Sequence, residues 1–336
     1  MGAQLKIVIL LLCTVTQTVY GWGFLAHKTI NRQAVYLLPN NSLFAFFKTN
    51  IDYLSENAVN ADKRRYTQEN EACRHYIDLD SYSKIDSAKL PKYFSDAKTK
   101  FSEDTLKRHG ILPWQIAIVQ KNLTKAMFEK DGNGILQLAA DLGHYIGDSN
   151  VPLHTTHNYD GQYTNQKGIH ALWETRIPEL QLSNYDFLIG KASFVKDVQA
   201  MAWISVQSAN KAVDSVFSNE KYLSNKLSEQ SKYSFTETNY GTIKTYSEMF
   251  TIQYSELLEG QVERQLRNSI KMVADCWYTS WIEAGQPDLS TLGKKFEKED
   301  SPVDKNLKND RFLESHHNCN HKEERFITKT LLTKTN

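Results

Sequence analysis

The chain has 336 residues, with 40 Lys and Arg against 39 Asp and Glu, and 40% of its residues are hydrophobic. That length can bury a large core in one domain or two, and the 24% charged fraction with 15 Phe and 17 Tyr excludes wholesale disorder. A net charge of +1 removes the simplest electrostatic case for a nucleic-acid or membrane-surface binder, although a locally basic groove stays open.

The first element is a targeting segment. Lys6 precedes the apolar run Ile7 to Val15, and a polar stretch follows that ends at Val19-Tyr20-Gly21, with small residues at the −3 and −1 positions. This is the pattern of a secretory signal peptide over residues 1–21. The run is shorter than the roughly 20 residues a bilayer span needs. Leu12 before Cys13 is too large for the usual lipoprotein cleavage. The expectation is a secreted or periplasmic protein that begins at Trp22, with no transmembrane span and no obligate protein partner. It would keep Cys73, Cys276 and Cys319, so disulfides are not the framework of the fold.

The remainder reads as helical. Ile30, Ala34, Leu37 and Leu38 share a helical face that stops at Pro39. Pro113 opens a helix with the stripe Ile116, Val119, Leu123 and Met127. Asn133-Gly134 breaks the chain before a second helix from Ile135 towards Ile146. Asp131-Gly132-Asn133-Gly134 starts like a calcium loop, but Ile135 occupies the next ligand position, so it is read as a turn. Phe194, Val198, Met201 and Ala202 mark a helix within 192–217, and one long helix is expected from about Tyr246 to Ala284, closed by Gly285 and Pro287. Alternating strand patterns are scarce. The expected architecture is all-α: one multi-helix domain over 22–290, with a metal cluster at the base of a cleft, long loops and few or no strands. The tail 291–336 is charged, and its cluster His316-His317-Asn318-Cys319-Asn320-His321 lacks a rigid frame for a metal site.

The chemistry concentrates in the middle. His144 and Asp148 are four residues apart, so on a helix they face the same way, and Pro152 then turns the chain to return His154 to the same region. His170 and Glu174 repeat the spacing. One such pair is ordinarily a helix-surface hydrogen bond, but two pairs with an additional histidine between them point to zinc. Upstream, His27 follows the expected new terminus, whose α-amino group has a pKa near 8 and coordinates metal readily. The Trp22 amine and carbonyl could close a chelate ring with His27 as partner. Asp62 and His75 complete the inventory.

These motifs, in this order and at this spacing, resemble the trinuclear-zinc superfamily that unites single-strand-specific nucleases with bacterial zinc-dependent phospholipases C. The resemblance spans Trp22 to Glu174 and extends more loosely to about residue 285. It implies three zinc ions. Asp62, His75, His144 and Asp148 would hold one. The Trp22 amine and carbonyl, His27 and a bridging Asp148 would hold the second, and His154, His170 and Glu174 the third. It further implies an exported zinc-dependent phosphodiester hydrolase in which Asp62 and Asp148 help hold the attacking hydroxide, since zinc lowers the pKa of bound water towards ~7.

The substrate class divides the sequence features. Arg65 stands where the nucleases place a phosphate-clamping arginine, with Lys63, Arg64 and Arg74 nearby, and Tyr76 and Asp78 follow His75 in the pattern used to stack and read a base. Glu174 in place of Asp, the absence of the nucleases' disulfides and the loop from His157 to Gln162 point elsewhere. The balance favours an endonuclease or 3'-nucleotidase acting on single-stranded nucleic acid or nucleotides. The alternative is a phospholipase C taking phospholipid head groups. A non-catalytic zinc-binding protein is the lesser alternative, because a structural site closes its shell with fewer ligands.

Overall fold

A computed structural model describes residues 23–83, 90–238 and 241–293. Residues 1–21, expected to be a signal peptide, Trp22 and the tail with its histidine cluster lie outside the described residues. The longer elements are helices α1 (Phe24–Leu37), α2 (Ser42–Thr49), α3 (Leu112–Phe128), α4 (Gly132–Ser149), α5 (Val198–Asn210) and α6 (Val213–Lys226), then strands β1 (Tyr233–Thr238) and β2 (Gly241–Tyr246), then α7 (Glu248–Leu257) and α8 (Gln261–Glu283). Among the described residues β1 and β2 form one antiparallel hairpin, and no helix is long and apolar enough to cross a membrane. The fold is all-α.

Helices α1, α3, α4 and α8 pack on one another around the core. Trp277 on α8 is fully buried, meets Phe47 of α2 edge-on at 5.0 Å and donates its indole N–H to the Ala139 carbonyl of α4 at 3.1 Å. Burying that N–H without a partner would cost about 1–3 kcal/mol, so the bond fixes the approach of α8 to α4. Where α1 crosses α4 the contacts are tighter. A Cβ on Gly143 would sit 1.8 Å from Asn31 Oδ1, and one on Gly147 would sit 3.0 Å from His27 Nδ1. Only glycine at 143 lets α1 approach this closely, and that approach lays His27 over the ligand-bearing turn of α4.

Several boundaries differ from the periodicity. Helix α4 starts at Gly132, because the Asp131 side chain caps it by accepting from the Gly134 N–H at 3.1 Å. The helix expected within 192–217 begins only at Val198, capped by Asp197, and Phe194 lies in an extended strap with half its surface exposed. The long helix expected from 246 to 284 is two, broken where Glu259 (φ 49°) and Gly260 (φ 73°) take left-handed backbone. The hairpin before α7 was not expected.

Candidate metal centre

Short segments and helix ends bring the predicted ligands together. His27 lies on α1, Asp62 on the turn Asn60–Arg64, His75 just beyond the turn Ala72–Arg74, and His144 and Asp148 on α4. His154 follows on the turn Pro152–Thr155, His170 on Ile169–Ala171, and Glu174 on the π-helical turn Leu172–Arg176. All are buried, Asp62 being the most exposed at 7%. Burying so many ionisable groups is costly unless charges are paired or shared with a cation.

Their ligand atoms form overlapping groups. His75, His144 and Asp148 lie within 4.8 Å of one another, as do His27, Asp62 and His144, and as do His154, His170 and Glu174. Asp148 faces two ways. Its Oδ2 is 2.9 Å from His75 Nδ1 and 3.2 Å from His144 Nε2, while its Oδ1 is 3.4 Å from His27 Nε2. His27 also stacks on His144, with centroids 3.9 Å apart, and Asp62 Oδ1 is 3.6 Å from His144 Nε2. In the last group the two Glu174 oxygens divide between rings, Oε1 at 3.0 Å from His154 Nε2 and Oε2 at 3.0 Å from His170 Nε2. Trp22 is not among the described residues. The Gly23 N–H after it donates to the Glu174 carbonyl at 3.1 Å, so the start of α1 runs beside the π-helical turn.

Whether these residues suit a metal can be tested on their hydrogen bonds. Both Glu174 oxygens, Asp148 Oδ1, Asp62 Oδ2 and His27 Nε2 are buried without a hydrogen bond of good geometry. At 3.0 Å the Glu174 oxygens are close enough to bond the rings but are not aligned with them, so nitrogen and oxygen converge on a common point. Two of the outer ring nitrogens behave differently. His144 Nδ1 donates to the Ala58 carbonyl at 2.8 Å and His154 Nδ1 to the His75 carbonyl at 2.5 Å. Each bond fixes the tautomer that leaves Nε2 as a lone-pair donor facing inward. Imidazole and carboxylate donors converging in this way, two of the rings held from behind, fit a divalent metal such as zinc.

The electrostatics follow from this crowding. Burial disfavours charge on His144, but Asp148 and Asp62 outweigh it and carry the ring up to about 9. Burial likewise opposes charge on His154, and Glu174 and Asp148 carry that ring to about 9. His27 moves down, through burial and the neighbouring His144. Burial would raise Asp148, yet His144 and His154 hold it well below the usual carboxylate range.

The other predicted residues divide. Arg65 Nη1 is 3.4 Å from Asp62 Oδ1, beside the ligand groups. Arg64 and Arg74 are engaged by acids: Arg64 is bidentate on Asp141 at 3.0 and 2.9 Å, and Arg74 bonds Glu71 at 2.7 Å. Tyr76 is 2% exposed and its hydroxyl donates to the Arg108 carbonyl at 3.2 Å, so its ring faces the interior. Asp78 is buried, with Oδ2 3.3 Å from His157 Nδ1. His157 in turn meets the Tyr163 hydroxyl at 2.8 Å and stacks on that ring at 5.3 Å, and Tyr163 is 67% exposed. Cys73 and Cys276 are buried thiols outside any disulfide.

No family model matches the chain. Its sequence is 27% identical over 192 residues to Nuclease S1 of Aspergillus oryzae, across 52% of this chain and 61% of that protein, so the match spans about three fifths of the relative's length. Two solved structures are similar to it at 12% identity: the alpha-toxin of Clostridium absonum (TM-score 0.48, covering 82% of this chain and 66% of that one) and the alpha-toxin of Clostridium perfringens (TM-score 0.47, covering 81% and 66%). The likeness to a nuclease bears out the resemblance to the nuclease and phospholipase C superfamily drawn from the motifs.

Proposed function

We propose that the chain is an exported hydrolase of phosphoric diesters, dependent on three zinc ions and acting on single-stranded nucleic acid or nucleotides. The observation that carries this reading is the shared Asp148 carboxylate, one oxygen towards His27 and the other towards His75 and His144, next to a separate His154–Glu174–His170 group. Removal of residues 1–21 would free the Trp22 amine, which with the Trp22 carbonyl would join His27, within a domain spanning 22–290.

Zinc bound there supplies Lewis acidity that activates water near neutral pH and neutralises phosphate charge. The chain's own residues do the remainder. Asp62 and Asp148 hold negative charge against the imidazoles and set where water is gathered. Arg65, anchored beside Asp62, offers a planar guanidinium to a phosphate oxygen. The exposed Tyr163 ring, backed by His157 and Asp78, offers a flat face to an unpaired base. The likeness to Nuclease S1 supports this substrate class. Assay of the purified protein on single-stranded DNA and on phosphatidylcholine vesicles, with and without chelator, tests the reading. Chelator-sensitive cleavage of DNA well above that of the lipid is expected. Faster turnover of the lipid would establish the phospholipase alternative, and turnover of neither in the presence of zinc would leave a non-catalytic zinc protein.

A further inference from the structure

Three of the histidines near Asp148 are not held alike. His144 and His154 each give an outer Nδ1–H to a backbone carbonyl. His75 is reversed. Its inward atom is Nδ1, 2.9 Å from Asp148 Oδ2 and 3.0 Å from His144 Nε2, so Nε2 points outward. That nitrogen is buried without a hydrogen bond, and Glu71 Oε1 lies 3.7 Å away. Glu71 is fully buried and held from the far side: Arg74 Nη1 bonds Oε2 at 2.7 Å, while the Tyr145 hydroxyl and Arg64, at 3.4 Å, reach Oε1. Arg64 is itself fixed by its two bonds to Asp141.

We propose that Glu71 is a positioning residue for the metal centre. It receives the His75 Nε2 proton, fixes the tautomer that leaves Nδ1 as the ligand atom, and makes that ring a stronger donor. A carboxylate behind a ligating imidazole does this generally. The Tyr145 and arginine bonds keep the carboxylate charged and immobile, so a small rotation of the ring closes the contact. Arg64 and Arg74, which in the sequence only make the neighbourhood of Arg65 basic, serve this carboxylate.

The inference rests on the proposed centre binding zinc, and its test separates the two. Zinc affinity is measured by chelator competition on the purified protein and on Glu71→Gln, which keeps the shape and removes the charge. Nitrogen-15 spectra of the histidine rings report the tautomer. The variant is expected to bind the zinc that takes His75 about 10–100-fold more weakly. The ion taken by His154, His170 and Glu174 should be retained. Tyr145→Phe, which removes one bond to Glu71, should shift affinity in the same direction by less. In the unaltered zinc-loaded protein, His75 should carry its proton on Nε2. A proton on Nδ1 there, or a folded Glu71→Gln with unchanged affinity at every ion, overturns the role of Glu71. A parent protein that takes up no zinc overturns the centre itself.

Discussion

The two ends of the candidate centre are built differently. The Asp148 end is assembled from helices α1 and α4 and the segment 62–75, and its carboxylates are shared among several imidazoles. The Glu174 end is local: His170 and Glu174 come from adjacent turns, His154 from another, and each Glu174 oxygen faces one ring. A carboxylate reaching residues of more than one group couples those groups, whereas one confined to a single group does not. Damage at Asp148 should therefore spread, and damage at Glu174 should stay local.

The largest effect is expected from Asp148→Ala. Activity should fall by about 10³-fold or more, roughly 4 kcal/mol of barrier, and elemental analysis should show more than one zinc lost per chain. Loss of a single ion would remove the distinction between the two ends. Glu174→Ala comes next. It should lose one zinc and most activity while His27, His75 and His144 keep theirs, which metal titration of the folded variant can read.

Protons should compete with metal at both ends. At pH 7 the metal-free chain holds His144 and His154 as cations, because their folded values near 9 exceed the ordinary 6.5. Zinc needs them neutral, so each ring gives up a proton. Apparent affinity should rise by up to about tenfold per ring for each pH unit towards 9 and then level. The sign for stability follows from the same shift: these ion pairs stabilise the metal-free fold fully below pH 6.5 and are lost as pH climbs through 9. Weakly buffered calorimetry at pH 7 should detect proton release on zinc addition.

Smaller effects belong to substrate contacts. Arg65→Ala should lower kcat/KM on nucleotides by about 10–100-fold, within the range for one removed charge-stabilising donor, with zinc content intact. Tyr163→Ala should lower the ratio of kcat/KM on single-stranded DNA to that on a diester without a base by about tenfold, the scale of one stacked base. An unchanged ratio would remove the base platform from the account.

Local periodicity made part of this centre legible in the sequence. His144 with Asp148, and His170 with Glu174, announce themselves because four-residue spacing puts side chains on one helical face. For the second pair the spacing was right but the local form was not, since a π-helical turn at Leu172–Arg176 carries Glu174. Glu71 and Tyr145 were invisible, because their role comes from contacts across about seventy residues that no local pattern records. Arg64 and Arg74 read only as part of a basic neighbourhood around Arg65 for the same reason: composition shows a basic cluster but not the buried acids it answers. Gly143 and Gly147 could have been noticed as a small-residue pair on α4, although only the crossing of α1 reveals what they admit. Fold class was readable throughout. Its interruptions, the Glu259–Gly260 break and the hairpin at 233–246, follow from left-handed backbone and pairing that a helical stripe on either side conceals.

Anomalous diffraction at the zinc edge, from crystals of the chain beginning at Trp22, would locate the ions outright. Two peaks flanking the Asp148 carboxylate are expected, with a third between His154, His170 and Glu174. Anomalous density absent from Asp148, with these side chains engaged only by one another or by water, would contradict the three-zinc centre.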